Sequence, residues 1–227
     1  MARIDTEAVT RTPLSRERVL RAAVTLADEG GIDALSMRKL GQALGVEAMS
    51  LYNHVANKDD LLDGMTDLVM SEIELSEEGD WKAALRRSAV SAHEVLGRHP
   101  WACELALSPA RTVPVLVRRA DWMLRRLREA GFSAEVTYHA FHALDAHILG
   151  FTLWQLGHGI VDDEHLAELA EAFFRQFPQD AFPYLREHAE QHLSGFGRGE
   201  PGAFDLVLDL ILDGLERARS AEISPQE

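Results

Sequence analysis

Apolar residues recur along this chain every three to four positions, which is the period of an amphipathic α-helix. Alternating runs of β-branched and polar residues are nearly absent, so the pattern predicts an all-α protein. In the N-terminal part it predicts helices over residues 15–28, 37–44, 47–54 and 58–74. The helices predicted beyond that part are mostly longer and cover residues 80–97, 113–130, 134–156, 163–177, 182–194 and 202–219.

Capping residues and glycines mark the ends of these helices. Small polar side chains accept hydrogen bonds from the free N–H groups of a first helical turn, and glycine adopts the left-handed conformation that ends a helix. The candidate N-caps are Ser15, Asn57, Asp80, Thr112 and Ser133. The candidate stops are Gly30, Gly31, Gly45, Gly97 and Gly131.

The change in helix length divides the chain into two predicted domains. We assign residues 1–60 to an N-terminal domain of three short helices. Within it, residues 1–12 form a flexible arm, since they show no apolar periodicity. Residues 61–227 form a larger helical domain, and we expect the two to be joined through a shared helix rather than a linker.

Composition limits the class of protein. A single cysteine, Cys103, excludes an internal disulfide framework and a zinc cluster built on cysteine. No run of eighteen apolar residues and no secretory leader is present, which predicts a cytoplasmic protein with no membrane partner. No Ser/His/Asp or Cys/His arrangement follows a catalytic motif, so we predict neither an enzyme nor a cofactor.

The negative charge is distributed unevenly. The formal net charge of −14 argues against a nucleic-acid partner, whose phosphates attract Lys and Arg. Residues 1–60, however, contain eight Lys and Arg against nine Asp and Glu, whereas the remaining residues contain fifteen against twenty-eight. The acidity therefore lies outside the N-terminal domain, and charge neither favours nor excludes nucleic-acid binding there.

The two short helices on either side of Gly45 have the layout of a helix-turn-helix, in which the second helix enters the DNA major groove. Small, hydroxyl and amide side chains suit contacts with base edges and phosphates. Helix N-termini also favour phosphate, which makes a basic residue there a further candidate. The candidate DNA contacts are Arg38, Ala48, Met49, Ser50, Tyr52, Asn53, His54 and Lys58. Any helical domain can contain such helices, so Tyr52 could instead be a packing aromatic and His54 a surface cap.

Residues 35–62 resemble the N-terminal signature of the tetracycline-repressor (TetR) family, and Ala22, Ala23 and residues 30–32 match the pattern of its first helix. The resemblance implies phosphate contacts from Ser36, Tyr52, His54 and Lys58. It implies base or groove contacts from Arg38, Ala48, Met49, Ser50 and Asn53. Met49 and Asn53 vary among such proteins, so the operator sequence does not transfer. The expected partner is double-stranded DNA.

Two apolar segments are candidates for a dimer interface. Residues 141–155 and 202–219 are apolar on more than one side. Together with residues 99–101 they resemble the regulatory domain of tetracycline repressor, where two helices from each subunit form a four-helix bundle. This implies a homodimer that binds a palindromic operator. The candidate interface residues are Leu144, Ile148, Phe151, Phe204, Leu208, Ile211 and Leu215. The alternative is that these helices form the core of a monomer.

A ligand cavity is expected among the helices of the larger domain, because an apolar space with a few polar groups suits a small molecule. The candidate lining residues are Trp101, Cys103, Trp122, His139, His142 and Trp154. The alternative is an ordinary core with hydrogen-bonded histidines. The magnesium-binding residues of the tetracycline site do not align here, so tetracycline is not the predicted ligand.

These features predict a transcriptional regulator. The first expectation is a repressor that a small-molecule effector releases from its operator. A transcriptional activator is a second possibility. A helical enzyme or ligand-binding protein without DNA binding is the third, and it predicts that the candidate DNA contacts are dispensable.

Overall fold

The computed structural model describes residues 13–108, 113–158, 171–178, 181–193 and 202–223. Throughout these ranges the secondary structure is helical and contains no strand, which confirms the predicted all-α class. The chain divides into two compact units, one up to Leu68 and one from Val69 onward. None of the described helices is long and apolar enough to cross a membrane.

The N-terminal unit contains four helices, the last of which includes the division at Leu68. They are α1 (Arg16–Gly30), α2 (Met37–Leu44), α3 (Ala48–Leu51) and α4 (Lys58–Met70), with a short 3₁₀ turn at Ile32–Ala34. The capping predictions are confirmed at Ser15, which accepts from the Arg18 N–H at 3.2 Å, and at Asn57, which accepts from the Asp60 N–H at 2.8 Å. Gly45 ends α2 with φ 68°, where a side chain would be strained.

Two N-terminal helices are shorter than the predicted ones. After Leu51 the chain tightens into turns, in which the Leu51 carbonyl accepts from the N–H groups of both His54 and Val55. Helix α3 therefore has four residues instead of eight. Helix α4 ends at Met70, four residues before the predicted end.

The C-terminal unit contains longer helices. They are α5 (Trp81–Arg98), α6 (Trp101–Ala106), α7 (Pro114–Glu129), α8 (Ala134–His158), α9 (Pro183–Leu193) and α10 (Ala203–Ile223). The caps at Asp80 and Ser133 and the stop at Gly131 are confirmed. Gly97 is not a stop, because α5 continues through it to Arg98. Of the helix predicted over 163–177, residues 171–174 are helical and 163–170 lie outside the described residues, as does Thr112.

Helix α6 was not predicted from the sequence. It has six residues and no side-chain N-cap bond, since Pro100 occupies the capping position. Short helices of this kind have too few residues to show a helical period. Burial of Trp101, Ala102 and Cys103 holds α6 in place.

The core of the C-terminal unit forms around α8, which packs against α5, α7 and α10. Charged side chains of α5 fix the position of α10. Arg86 donates to Asp209 at 2.8 Å and to Asp205 at 2.6 Å, and Lys82 pairs with Asp213 one turn further along. These exposed pairs each contribute little energy but set the register between the two helices.

Candidate DNA-contacting surface and ligand cavity

Helices α2 and α3 lie against each other at a glycine. A Cβ atom on Gly41 would lie 2.8 Å from the Val46 carbonyl oxygen, so residue 41 needs to lack a side chain. Leu40, Leu51 and Val55 are fully buried beneath these helices. The inner face of α3 is therefore fixed by apolar packing, and its outer face is exposed to solvent.

None of the nine predicted DNA contacts is buried. Met49 is the most exposed, at 75%, and the Tyr52 ring is 44% exposed, so Tyr52 is not a core aromatic. Ser36 caps α2 by accepting from the Lys39 N–H at 3.3 Å, which leaves its hydroxyl hydrogen free to donate to a phosphate. The half-buried members are Ala48, Ser50 and His54, and the exposed ones are Ser36, Arg38, Met49, Tyr52, Asn53 and Lys58.

An ion pair connects the beginnings of α1 and α4. The Arg16 guanidinium donates to both carboxylate oxygens of Asp60, at 2.7 and 2.9 Å, and the Ala56 N–H donates to the same carboxylate at 2.8 Å. Hydrogen bonding from Arg16, supported by that from Ala56, lowers the pKa of Asp60 from 3.8 to about 2. The carboxylate is thus charged at any pH where the protein works.

We expect this pair to make stability depend on pH in the acid range. Because the pKa of Asp60 is lower in the folded state, its contribution is complete above about pH 4 and is lost as pH falls towards about 2. Both side chains are partly exposed, so after solvent screening we expect a loss of only about 1 kcal/mol. Denaturant unfolding at about pH 4 and about pH 2 should show a loss of stability that is larger by this amount in the native protein than in Asp60→Asn. Equal losses in the two proteins would contradict the assignment.

A cavity of about 170 Å³ lies within the C-terminal unit, between α5, α7 and α8. Its lining is apolar except for one ion pair, in which Arg119 Nη1 donates to Asp145 Oδ1 at 2.9 Å. Arg119 Nε and Nη2 are buried without a hydrogen-bond partner. The apolar lining residues are Met70, Ile73, Ala92, Leu96, Ala106, Leu116, Ala120, Phe141, Ile148 and Leu149.

None of the six residues proposed from the sequence for a ligand site lines this cavity. Trp101, Cys103 and Trp122 are buried in the core, and burial raises the pKa of the Cys103 thiol to about 11. The three from α8 are exposed: His139, His142 and Trp154. The face of α8 that turns inward is instead formed by Phe141, Asp145, Ile148 and Leu149. These residues are spaced four, three and one positions apart, which places them on one face of a helix. This spacing is visible in the sequence.

The residues predicted for the dimer interface divide by exposure. Four of them, Leu144, Ile148, Phe204 and Leu208, are buried inside the protomer and cannot also face a partner. Phe151, Ile211 and Leu215 are half-buried. Both helices are apolar on more than one side, so the sequence did not show which side the protomer's own core would use. The large exposed hydrophobic side chains on α8 and α10 are Tyr138, Leu153, Trp154, Leu206, Val207 and Leu210.

Ring stacking holds the buried part of α10. The Phe204 ring lies between His93, at 4.1 Å from centroid to centroid, and His147, at 4.6 Å. Thr152 donates its hydroxyl hydrogen to the Ile148 carbonyl, so His93 Nδ1 must carry the proton in its 2.7 Å contact with Thr152. Burial lowers the pKa of both histidines, which favours their neutral forms.

Comparison with known families accounts for both units. Residues 19–65 match the family described as bacterial regulatory proteins, tetR family. Residues 75–219 match the family described as tetracyclin repressor-like, C-terminal domain. The chain belongs to the tetR family. Its members are DNA-binding regulators rather than enzymes, so the chain is a DNA-binding transcriptional regulator.

Relatives of this tetR-family protein extend over most of its length. The class D tetracycline repressor of Escherichia coli is 35% identical over 207 residues, which cover 89% of each chain. The transcriptional repressor DrrR1 of Streptomyces coeruleorubidus is 30% identical over 213 residues, covering 89% of this chain and 77% of DrrR1. A regulator from Saccharopolyspora erythraea is 34% identical over 143 residues, and the match spans only 61% of that relative.

Solved structures agree with the tetR-family fold. The Streptomyces coelicolor regulator SCO7222 superimposes with a TM-score of 0.73 and 27% identity, over 91% of this chain and all of that one. ActR from the same organism, crystallised with (S)-DNPA, gives a TM-score of 0.70 and 27% identity, over 92% of this chain and all of that one.

Proposed function

We propose that this tetR-family regulator is a cytoplasmic repressor that binds a palindromic operator as a homodimer and is released by a small apolar effector. The observation that carries the proposal is that none of the nine candidate DNA contacts, which lie between residues 36 and 58 of the N-terminal unit, is buried. Relatives named as repressors support the direction of regulation.

The exposed apolar strip on α8 and α10 supports the homodimer. Leu206 and Leu210 are 62% and 60% exposed and lie one helical turn apart. Trp154 and Leu153 extend apolar surface on α8, the helix that packs beside α10. Large exposed apolar side chains on two neighbouring helices are typical of a site of association. We therefore place the dimer contact on this strip rather than on the buried residues of the same helices.

The cavity in the C-terminal unit supports an effector that is mainly apolar. Its size is close to that of the roughly 150 Å³ cavities that hold a benzene-sized molecule. The Arg119–Asp145 pair is the charged part of the lining, and a polar group of the effector would be oriented by it. Binding releases the operator only if the effector prefers the conformation that binds DNA weakly.

Filling the cavity should separate effector response from operator binding. We expect Ala120→Phe, which places a ring among the lining residues, to reduce sensitivity to an inducing compound by about tenfold or more. Operator affinity should remain close to that of the native protein. A promoter-reporter strain and a gel shift measure the two properties. The matched control is Ala143→Phe at an exposed position of α8, and equal responses in both variants would contradict the site.

A gel shift with the DNA upstream of the protein's own gene tests the proposed function as a whole. We expect a retarded complex that weakens as salt is raised, because phosphate contacts release counterions. Absence of any complex at low salt would contradict operator binding. A promoter-reporter assay in a deletion strain then separates repression, where the signal rises without the protein, from activation, where it falls.

A further inference from the structure

Helix α3 packs against α2 through its inner face, but it is too short to fix the chain that follows it. It is four residues long, and Glu47 at its N-cap position makes no side-chain capping bond. A single helical turn is unstable in isolation, so its direction depends on what holds its ends. Leu51 and Val55 bury its inner side. The turn that follows, residues 52–57, carries predicted phosphate contacts and needs another support.

Arg16 provides that support from the start of α1. Its Nη1 donates to the His54 carbonyl oxygen at 2.9 Å, while Nη1 and Nη2 together hold the Asp60 carboxylate. Asp60 in turn accepts from the Ala56 N–H at 2.8 Å. The Arg16–Asp60 pair is therefore bonded to two backbone groups of the turn, at His54 and at Ala56. Charge-assisted bidentate pairs of this kind fix direction as well as distance.

A glycine makes this arrangement possible. A Cβ atom on Gly64 would lie 2.7 Å from Leu20 Cδ2 and 3.2 Å from Arg16 Nη2. Because residue 64 has no side chain, α1 approaches α4 closely enough for Arg16 to reach both Asp60 and the turn. Three elements of the N-terminal unit thus meet at one guanidinium.

We propose that the Arg16–Asp60 pair positions the turn after α3 for operator recognition and contributes to operator affinity without contacting DNA. Arg16 and Asp60 are positioning residues, acting through Tyr52, His54 and Lys58. The inference rests on the proposed function, since it requires that these three residues contact an operator.

Electrostatics alone predicts the opposite effect at Asp60. Removing a negative charge near DNA should tighten binding to any duplex, because phosphates repel carboxylates. Loss of positioning should weaken binding to the specific duplex more than binding to other sequences, because phosphate contacts fix the register of the protein on its site. The sign of the change for Asp60→Asn therefore distinguishes the two explanations.

The probe is a duplex that the full-length protein selects from a random pool, compared with a scrambled duplex of the same length. For Asp60→Asn and for Arg16→Gln we expect about tenfold weaker binding to the selected duplex. The dependence of affinity on salt should change little, since Lys58 keeps its charge and Arg16 itself contacts no phosphate. Arg21→Gln is the matched control. It removes the same charge from α1, where Arg21 pairs with Glu17, and should bind like the native protein.

Two results would overturn the proposal. One is Asp60→Asn binding the selected duplex as tightly as the native protein or more tightly. The other is a salt slope that falls by about one per subunit in Arg16→Gln, with weaker binding to the scrambled duplex as well, which would make Arg16 a phosphate contact. Failure to select any duplex would overturn the proposed function and the role of the pair with it.

Circular dichroism of each variant separates lost folding from lost positioning. If a single variant unfolds, the exchanged pair, Arg16→Asp with Asp60→Arg, takes its place. The exchange keeps an ion pair but loses the bonds to the His54 carbonyl and the Ala56 N–H, so we expect it to bind the selected duplex as weakly as a single substitution does. A folded exchange protein that binds the scrambled duplex but has no preference for the selected one would support the proposal that specific binding requires the native arrangement of the pair. An exchange protein with full native affinity would contradict it, because the His54 bond from Arg16 is then dispensable.

Discussion

Replacing Tyr52 and Lys58 together with alanine is expected to weaken operator binding by about a hundredfold or more, with folding and dimerisation preserved. Tyr52 is exposed in the turn after α3, and Lys58 is exposed at the start of α4. Removal of these side chains therefore disturbs no core packing. A dimer loses two lysine–phosphate contacts, and the slope of log affinity against log salt should therefore become shallower by about two. Gel shifts at several salt concentrations measure both quantities.

The control for this variant is Arg98→Ala. Arg98 is an exposed basic residue of the C-terminal unit that pairs with Glu72, so its replacement removes a similar charge from the unit that holds none of the candidate DNA contacts. We expect its affinity and salt slope to match those of the native protein. A double variant that binds the operator normally would contradict the assignment of phosphate contacts to the turn after α3.

Replacing Leu206 and Leu210 together with glutamate is expected to convert the proposed homodimer into monomers. Both side chains are mostly exposed in the protomer, and glutamate is a good helix former, so α10 should keep its fold. In a dimer the substitution would bury four unpaired carboxylates, which is strongly unfavourable. A monomer reads one half-site without the gain from linked binding, so operator affinity should fall by about a thousandfold. Analytical ultracentrifugation and gel shifts measure the two effects.

A second double variant tests whether added charge alone causes this loss. Leu107→Glu with Val117→Glu makes the same change at two residues that are each 54% exposed and lie outside α8 and α10. This protein should remain dimeric and bind the operator. If the Leu206 and Leu210 variant also remains dimeric, the interface lies elsewhere on the molecule.

The accessibility of the candidate DNA contacts could be predicted from the sequence, and the lining of the cavity could not. Candidates such as Met49 and Lys58 lie within a short continuous segment whose exposed face follows directly from local helical spacing. The cavity gathers residues as distant in sequence as Met70 and Leu149. The aromatic and histidine residues of α8 led the sequence analysis to propose His142 as a lining residue. The orientation of α8 instead places its neighbour Phe141 at the cavity and leaves His142 exposed.

The helix-turn-helix and the caps at Ser15 and Gly45 were determined by the sequence itself, because propensity, capping and periodicity act within a few residues of chain. The tertiary structure decided which side of α8 and α10 the core would use. Both helices are apolar on several sides, and only packing against α5 and α7 assigns Leu144 and Leu208 to the interior and leaves Leu210 exposed. The Arg16–Asp60 pair joins residues 44 positions apart and was likewise decided by the approach of α1 to α4 at Gly64.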